Sequence, residues 1–479
     1  MKRVLTVLFA MGFIVAMLAG VSAAAYVVGG LAEKHWFAGA SRLSNILFLM
    51  LVFVMIIATL LTIAERKWSA LMQDRVGPNR ARINLPGIRN RSLAGLPHIL
   101  TDVLKMLTKE DFIPGTANTF MFKLGPILAF APVFALFAVV PAGPSVNVFG
   151  HNVDMVVATP DFGVLYLLAI ASLAVYGTAL AGWASNNKFA LLGGVRASSQ
   201  MISYEVALGL SLVGLFMAFS SLQLPTLVGT LGLDGAQATG QAQYLWNSHF
   251  TLFGREFDLG IPAWGFLLQP IGFIGFFAAS FAETKRAPFD VPEGESEIIG
   301  YFVEYSGMKF GLFMISEFVE VVVLAGVTTA LFFGGHHLPF GNEWLASQPL
   351  MQEHGWLYGT ILGTVFWVKV VFLIWIQLVI RWTFPRFRYD QIQTLGWKIL
   401  LPLALANVFI TGALVLWDPS LRALAIFGML EIGVFVVLTM TKKADAAEGG
   451  AHGAHGAHGH DHGHDAHGLP SHASAASSH

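Results

Sequence analysis

Long apolar runs alternate with short polar connections along the chain as far as residue 441. Runs of about 18 residues or more, at about 1.5 Å of helix rise per residue, are long enough to cross a hydrocarbon core of roughly 30 Å. They predict helices over 4–30, 43–64, 124–141, 162–184, 201–219, 263–282, 308–333, 356–382, 398–416 and 421–441. Continuous runs of this kind differ from the short alternating segments of a transmembrane barrel. Composition agrees: 55% of the 479 residues are hydrophobic and 12% charged, against about 25% charged in soluble domains. The expected fold class is an all-α integral membrane protein.

Lysine and arginine divide the connections into two sets. The stretch 66–110 carries Arg66, Lys67, Arg75, Arg80, Arg82, Arg89, Arg91, Lys105 and Lys109, and 185–200, 283–307 and 383–397 are also basic. Between them, 142–161 and 334–355 contain no Lys or Arg, and 220–262 contains only Arg255. The alternation places the basic connections in the cytoplasm of a prokaryotic cell, with the chain as a multi-pass protein of its plasma (inner) membrane. Residues 1–42 read either as a signal peptide, with small residues at Ser22-Ala23-Ala24-Ala25, or as a retained span and its link. The main membrane domain is expected over 43–418 and a further span over 419–443.

From 444 to 479 the chain is Ala/Gly/His/Ser-rich and has no apolar content to offset the entropy of ordering, so a disordered, solvated tail is expected. Its His452, His455, His458, His460, His462 and His464 could hold a metal loosely. Elsewhere no metal site is expected. There are no cysteines, which removes disulfides, thiolate-bound zinc and ordinary iron–sulfur clusters. The seven histidines before the tail fall in predicted connections, leaving no intramembrane pair for haem. The net charge of −1 offers nothing to nucleic acid. Neither GxxxxGK[ST] nor GxGxxG is present.

Polar chemistry concentrates in the basic connections. Glu65 ends a span beside Arg66 and Lys67, where topology accounts for the cations but not for the acid. In 101–110, Asp102, Lys105, Lys109 and Glu110 are set against Leu100, Val103, Leu104 and Leu107, the pattern of an amphipathic helix lying in the interface. Glu205 stands inside an apolar run, where an acid costs about 2.5–3.5 kcal/mol and is usually functional. The stretch from Glu283 to Glu304 mixes Asp290, Glu293, Glu295 and Glu297 with Pro, Phe, Val and Ile. Clustered acids in a half-apolar setting are suited to taking up and releasing protons. Glu317 and Glu320 share a face of the next span, and Lys369 lies near the middle of the one after. Cations and aromatics interleave over 381–391, suiting a lipid or protein interface or a quinone head group.

Taken in order, ERKxxxxxQxRxGPNR at 65–80, DxxKxxxKE at 102–110, SNNKxxLLGxxRAxxQxISYEV at 185–206, AETxRxPFDxPExESE at 282–297, EYSGMKFGLF at 304–313 and PRxRYDQ at 385–391 resemble the H subunit of proton-translocating NADH:quinone oxidoreductase, respiratory complex I, and its mitochondrial counterpart. The resemblance covers about 43–418. It implies an eight-helix membrane subunit that builds a quinone chamber with peripheral-arm subunits and starts a charged axis toward antiporter-like pumping subunits. It implies that Arg66, Arg75, Phe289, Arg386 and Arg388 border the quinone tunnel or the peripheral-arm interface. Glu65, Glu205, Glu293, Glu295, Glu297, Glu304, Glu317 and Lys369 would belong to the proton or charge pathway. Quinone is then the substrate, with FMN and iron–sulfur clusters in partner subunits and no redox centre in this chain. The first span, the 421–441 span and the His-rich tail depart from the family, 82–97 and 220–262 are longer than usual, and Lys285 stands where a neutral residue or His is common. The rivals are the related membrane subunit of an energy-converting hydrogenase-type complex and a stand-alone ion-coupled transporter. The second should show inverted repeats, and none is seen.

Overall fold

The computed structural model describes residues 2–37, 39–81, 83–85, 88–91, 95–231, 238–252, 255–291 and 300–453. Among them, nine helices are long and apolar enough to cross a membrane. The helices are α1 (Lys2–His35), α2 (Ala40–Met72), the short α3 (Pro97–Thr108), α4 (Thr119–Val139), α5 (Gly163–Ala184), α6 (Lys188–Phe219), α7 (Pro270–Glu283), α8 (Gly307–Phe332), α9 (Gly355–Thr383), α10 (Tyr389–Trp417) and α11 (Arg422–Gly453). The chain divides into two units, Met1–Met429 and Leu430–His479. In the second, the described residues continue α11 as far as Gly453, and 454–479 lies outside the described residues.

Several helices extend beyond their apolar runs. α2 continues past Glu65 to Met72, and α6 begins at Lys188, thirteen residues before the predicted 201, where Asn187 Oδ1 accepts from the Phe189 amide at 2.9 Å. α10 likewise starts at Tyr389 rather than 398. Much of the basic connection 185–200 is therefore helix, because hydropathy reports where lipid would end and not where backbone hydrogen bonding does. The predicted 263–282 span is broken at Gln269. Pro270 has no N–H and restricts the residue before it, so only Gly265–Leu268 and the 14-residue α7 are helical. The Gln269 side-chain amide Nε2 donates to Thr411 Oγ1 on α10 at 2.9 Å.

α8 is the central post of the first unit. In its membrane window 78% of the residues are buried, against 22% for α10. It packs against α2, α4, α7 and α9, which keeps Glu317 and Glu320 away from lipid. Trp367 of α9, fully buried, stacks on Phe53 of α2 at 4.4 Å between ring centroids and on Phe137 of α4 at 5.6 Å. α1 runs antiparallel to α9, with Ser22 beside Gly363, Tyr26 beside Gly359, and the Tyr26 hydroxyl donating to Pro144 O at 2.9 Å. Two antiparallel hairpins, Val146–Val148 with His151–Val153 and Tyr244–Leu252 with Arg255–Pro262, occupy Lys-poor connections.

Within lipid the hydrophobic effect does not draw helices together, so close packing of small residues has to do it. At Gly177 of α5 an added β-carbon would come within 2.7 Å of Ala129 Cα on α4. Gly177→Ala is expected to destabilise the protein by about 1–3 kcal/mol, the usual cost of overpacking. The thermal midpoint in detergent reports it, and an unchanged midpoint would contradict the close α4–α5 packing.

Candidate functional site

Where the ends of α2, α7 and α9 meet the first half of α8, five elements bring charges together out of water. Glu65 of α2 is buried, and Arg286 Nη1 donates to its Oε2 at 2.9 Å. Arg381 Nη1 from α9 lies 2.5 Å from the other carboxylate oxygen. Arg286 also reaches Glu317 Oε2 of α8 at 3.9 Å and sets its guanidinium 3.8 Å from the centre of the Phe318 ring. Lys285 Nζ lies 3.9 Å from Glu320 Oε2, one helix turn further along α8. Glu283, the last residue of α7, is buried in the same region, and the Tyr301 hydroxyl is 3.5 Å from Glu317 Oε1. Four buried carboxylates thus face three cations. A fully ionised set leaves one negative charge without a cation in the set, in a poorly solvated site.

Local backbone geometry explains how two consecutive cations enter this site. Lys285 has φ +55°, a left-handed conformation uncommon for a residue with a β-carbon, so α7 ends there and the chain turns inward. The loop is then held from two sides. Gln200 of α6 donates its amide to Ala282 O at 2.7 Å and Phe289 O at 2.8 Å. The Phe387 amide donates to Pro288 O at 3.0 Å. Phe289 is buried between the rings of Tyr204 and Phe387, each centroid 5.5 Å away. Arg386 Nη2 donates to Asp290 Oδ2 at 2.7 Å. Burial pushes the Asp290 carboxyl up to about 6, with the Arg386 guanidinium pulling against it.

Of the residues singled out in the sequence, the structure gathers Glu65 and Glu317 in the network, with Phe289 in the adjoining clamped loop and Arg386 reaching that loop from the α9–α10 connection. Arg66 pairs with Asp102 on the face of α3 at 2.8 Å, half exposed, where such a pair contributes about 0–1 kcal/mol. α3 has no buried residue, and Leu100, Val103, Leu104 and Leu107 remain uncovered, as an interfacial helix requires. Lys105 lies in its last turn and Glu110 just beyond it, where Ser306 Oγ donates to Glu110 O at 3.0 Å. Arg75 is exposed and donates to Gln73 Oε1 at 2.6 Å, and Arg388 is exposed near Asp390. Glu205 is half-buried on α6, and Glu304 accepts from Asn187 Nδ2 at 2.6 Å. Glu293, Glu295 and Glu297 lie outside the described residues, as do His455, His458, His460, His462 and His464; His452 is described in its backbone alone.

Lys369 has a different setting. Its ammonium donates to Phe333 O at 2.7 Å, Gly335 O at 3.0 Å and His337 O at 2.5 Å, the carbonyls at and beyond the C-terminal end of α8. A cation there offsets the negative end of the helix dipole. At about 1.5 Å per residue, that end is roughly 24 Å along α8 from Glu317.

Sequence reasoning placed Glu283, Asp290 and Glu320 among the clustered acids but did not assign the cations that face the network, Lys285, Arg286 and Arg381. Arg381 reads as part of the cation–aromatic stretch 381–391, and only an acid buried across from it in α2 reveals a second use. The signal that was present is Glu65 itself, since an acid just inside a membrane helix requires a cation from elsewhere in the chain.

The sequence model of the family described as NADH dehydrogenase matches residues 44–412. The chain is 40% identical over 364 residues to the first of the numbered NADH-quinone oxidoreductase H subunits of Cytophaga hutchinsonii, a match covering 76% of this chain and 93% of that one. It is 38% identical over 375 residues to the corresponding H subunit of Flavobacterium johnsoniae, covering 78% and 95%. It is 40% identical over 374 residues to the first of the numbered H subunits of Geobacter metallireducens, covering 78% and 96%. With the family matched over most of its length, and relatives covered almost end to end, the chain belongs to the NADH dehydrogenase family of multi-pass membrane subunits, the H subunits of NADH-quinone oxidoreductase, complex I.

Proposed function

We propose that this chain forms the membrane wall of the quinone chamber and couples quinone reduction to proton translocation through its buried carboxylates. The observation that carries this reading is the Glu65 carboxylate held between Arg286 and Arg381, continuous through Arg286 with Glu317 on α8. The basic connections face the cytoplasm, and the membrane is the inner membrane of a prokaryote. Peripheral-arm subunits carry FMN and the iron–sulfur clusters and dock over Arg66, Arg75, Arg386 and Arg388. Small membrane subunits and antiporter-like subunits lie along the bundle. α1 stays in the mature protein as an additional span, and α11 is a second addition.

Quinone reduced to quinol takes up two electrons from the partner clusters and two protons. The apolar face of α3 and the aromatic clamp around Phe289 suit the oily tail and the flat head group. The chain's own contribution is electrostatic. Negative charge arriving near Arg286 and Arg386 weakens their hold on Glu65 and Asp290, and the network rebalances by moving a proton. Glu283, Glu205 and the acids of 293–297 continue that response toward the pumping subunits, while Lys369, spent on carbonyls, anchors α8 and carries no proton. The names of the relatives favour this reading over the hydrogenase-type and transporter alternatives.

Three measurements test it. Arg286→Met should leave Glu317 without its cation and Glu65 with Arg381 alone, and lower stability by about 3–5 kcal/mol, and Glu65→Gln in the same chain should restore part of that loss. Additive losses in the double variant would show that the pair does not interact. Glu205→Gln in the assembled complex should lower the number of protons moved per electron pair while quinone reduction continues. Unchanged stoichiometry would remove Glu205 from the pathway.

The third concerns pH. Asp290 holds its proton to about pH 6, against about 3.9 for an aspartate in the unfolded chain. Between those values the folded state binds more protons, so stability falls as pH rises from about 4 to 6. The ion pair with Arg386 forms over the same interval. NADH-dependent quinone reduction should therefore decline as pH drops through about 6, and Asp290→Asn should be slower at neutral pH and lack that limb. An unchanged acid limb in Asp290→Asn would separate the ion pair from turnover.

A further inference from the structure

Beside α9, on the bilayer-facing side of the first unit, is a cavity of about 630 Å³. Its floor is the face of α9 that carries Ile361, Val365 and Phe372, one wall is α1 at Val15 and Ala19, and the other is Trp264 and Leu338. α1 lies outside the family match at 44–412, so the site belongs to this chain's departure from its relatives.

Of the polar groups in the lining, Lys369 donates to three backbone carbonyls and lies 4.4 Å from the Trp264 ring centroid. Thr360 Oγ1 donates to Trp356 O at 2.7 Å and Thr364 Oγ1 to Thr360 O at 2.6 Å. Trp264 Nε1 has no hydrogen-bond partner among the described residues but is buried. The surface that reaches the slot is almost wholly apolar, which suits hydrocarbon rather than a head group. It is also long: its α9 residues run from Thr360 to Leu373, about 20 Å of helix. A length of about 20 Å slightly exceeds one leaflet of a core of roughly 30 Å. The floor continues into exposed Val368, Phe372 and Trp375 on the same helix, so the slot opens onto the lipid-facing surface of the spans.

We propose that α1 and α9 form a binding slot for one acyl chain of a membrane phospholipid, held as a structural part of this protein. The chain wedges between the additional helix and the family bundle, fills space that side chains leave open, and covers the region where Lys369 caps α8. The proposal rests on the reading that α1 is retained; it is independent of the quinone assignment.

The test uses the whole complex reconstituted into phosphatidylethanolamine–phosphatidylglycerol vesicles, with a diazirine in the acyl chain of the phosphatidylethanolamine. After illumination, peptide mass spectrometry should find adducts at Val15, Ala19 and Val365 in about tenfold excess over exposed Leu403 and Phe409 of α10. Ala19→Trp should abolish the Val365 adducts and leave those on α10 unchanged. Should that variant fail to assemble, Val368→Trp fills the slot from the floor and should act alike. Equal labelling of slot and α10 residues would overturn the proposal, as would slot labelling by a diazirine-tailed quinone in preference to the phospholipid. So would an N-terminus of the mature chain beyond Ala19. None of these outcomes depends on turnover, so failure here leaves the quinone reading intact.

Discussion

The structure turns on the cost of burying charge. An ion moved from water into a poorly solvated interior loses several kcal/mol, recovered only by a close partner and good hydrogen bonding. Glu65, Glu317 and Glu320 are all buried, and their counter-ions come from the α7–α8 loop and from α9. That requirement fixes how far α2 and α9 can slide along α8, because a shift of one turn, about 5.4 Å, would leave Glu65 facing no cation. Apolar packing alone specifies axial register poorly, since one valine or leucine substitutes for the next. The ion network supplies the register, and the stack of Phe53, Trp367 and Phe137 holds the same helices together deeper in the bundle.

The same constraint explains the shape of the loop after α7. Placing Lys285 and Arg286 side by side inside the protein requires the chain to turn sharply, and the left-handed backbone at Lys285 does that. An asparagine or glycine would adopt that conformation at lower cost. The lysine is tolerated because its ammonium ends near Glu320. Gln200, reaching from α6, donates to Phe289 O in the loop and to Ala282 O at the end of α7, which otherwise accepts only weakly from the turn that follows, with the Lys285 amide at 3.4 Å.

Which parts were legible in the sequence follows from the range of the interactions involved. The spans depend on local hydropathy, and those at 308–333 and 356–382 match α8 and α9 within a residue. Hydropathy says nothing of helices that continue into polar sequence, so the first thirteen residues of α6 were missed. It also overrode Pro270, which breaks a run that is apolar throughout. Glu65 was visible as an anomaly, but its partners are more than two hundred residues away in sequence. Only the fold brings them together. Lys369 was singled out as a charge near the middle of a span; backbone carbonyls take its hydrogen bonds, and a one-dimensional pattern gives no view of a helix end arriving from another segment.

α8 is thus held by charge at two places about 24 Å apart, acids with cations in its first half and an ammonium at its C-terminal end. Between Glu320 and Phe333 it carries no titratable side chain, and the hydroxyls of Thr328 and Thr329 are committed to Leu324 O and Ala325 O. A proton taken up at the network therefore has no relay along α8 among the described residues. Two means of communication remain: displacement of the helix as a rigid body, which Lys369 resists, and lateral transfer toward Glu283 and Glu205 on α7 and α6. The second moves the smaller mass and uses groups that can hold a proton. On the coupling proposed above, a helix without a titratable relay between Glu320 and Phe333, with acids at its flank, would pass charge sideways through the bundle while Lys369 holds its C-terminal end.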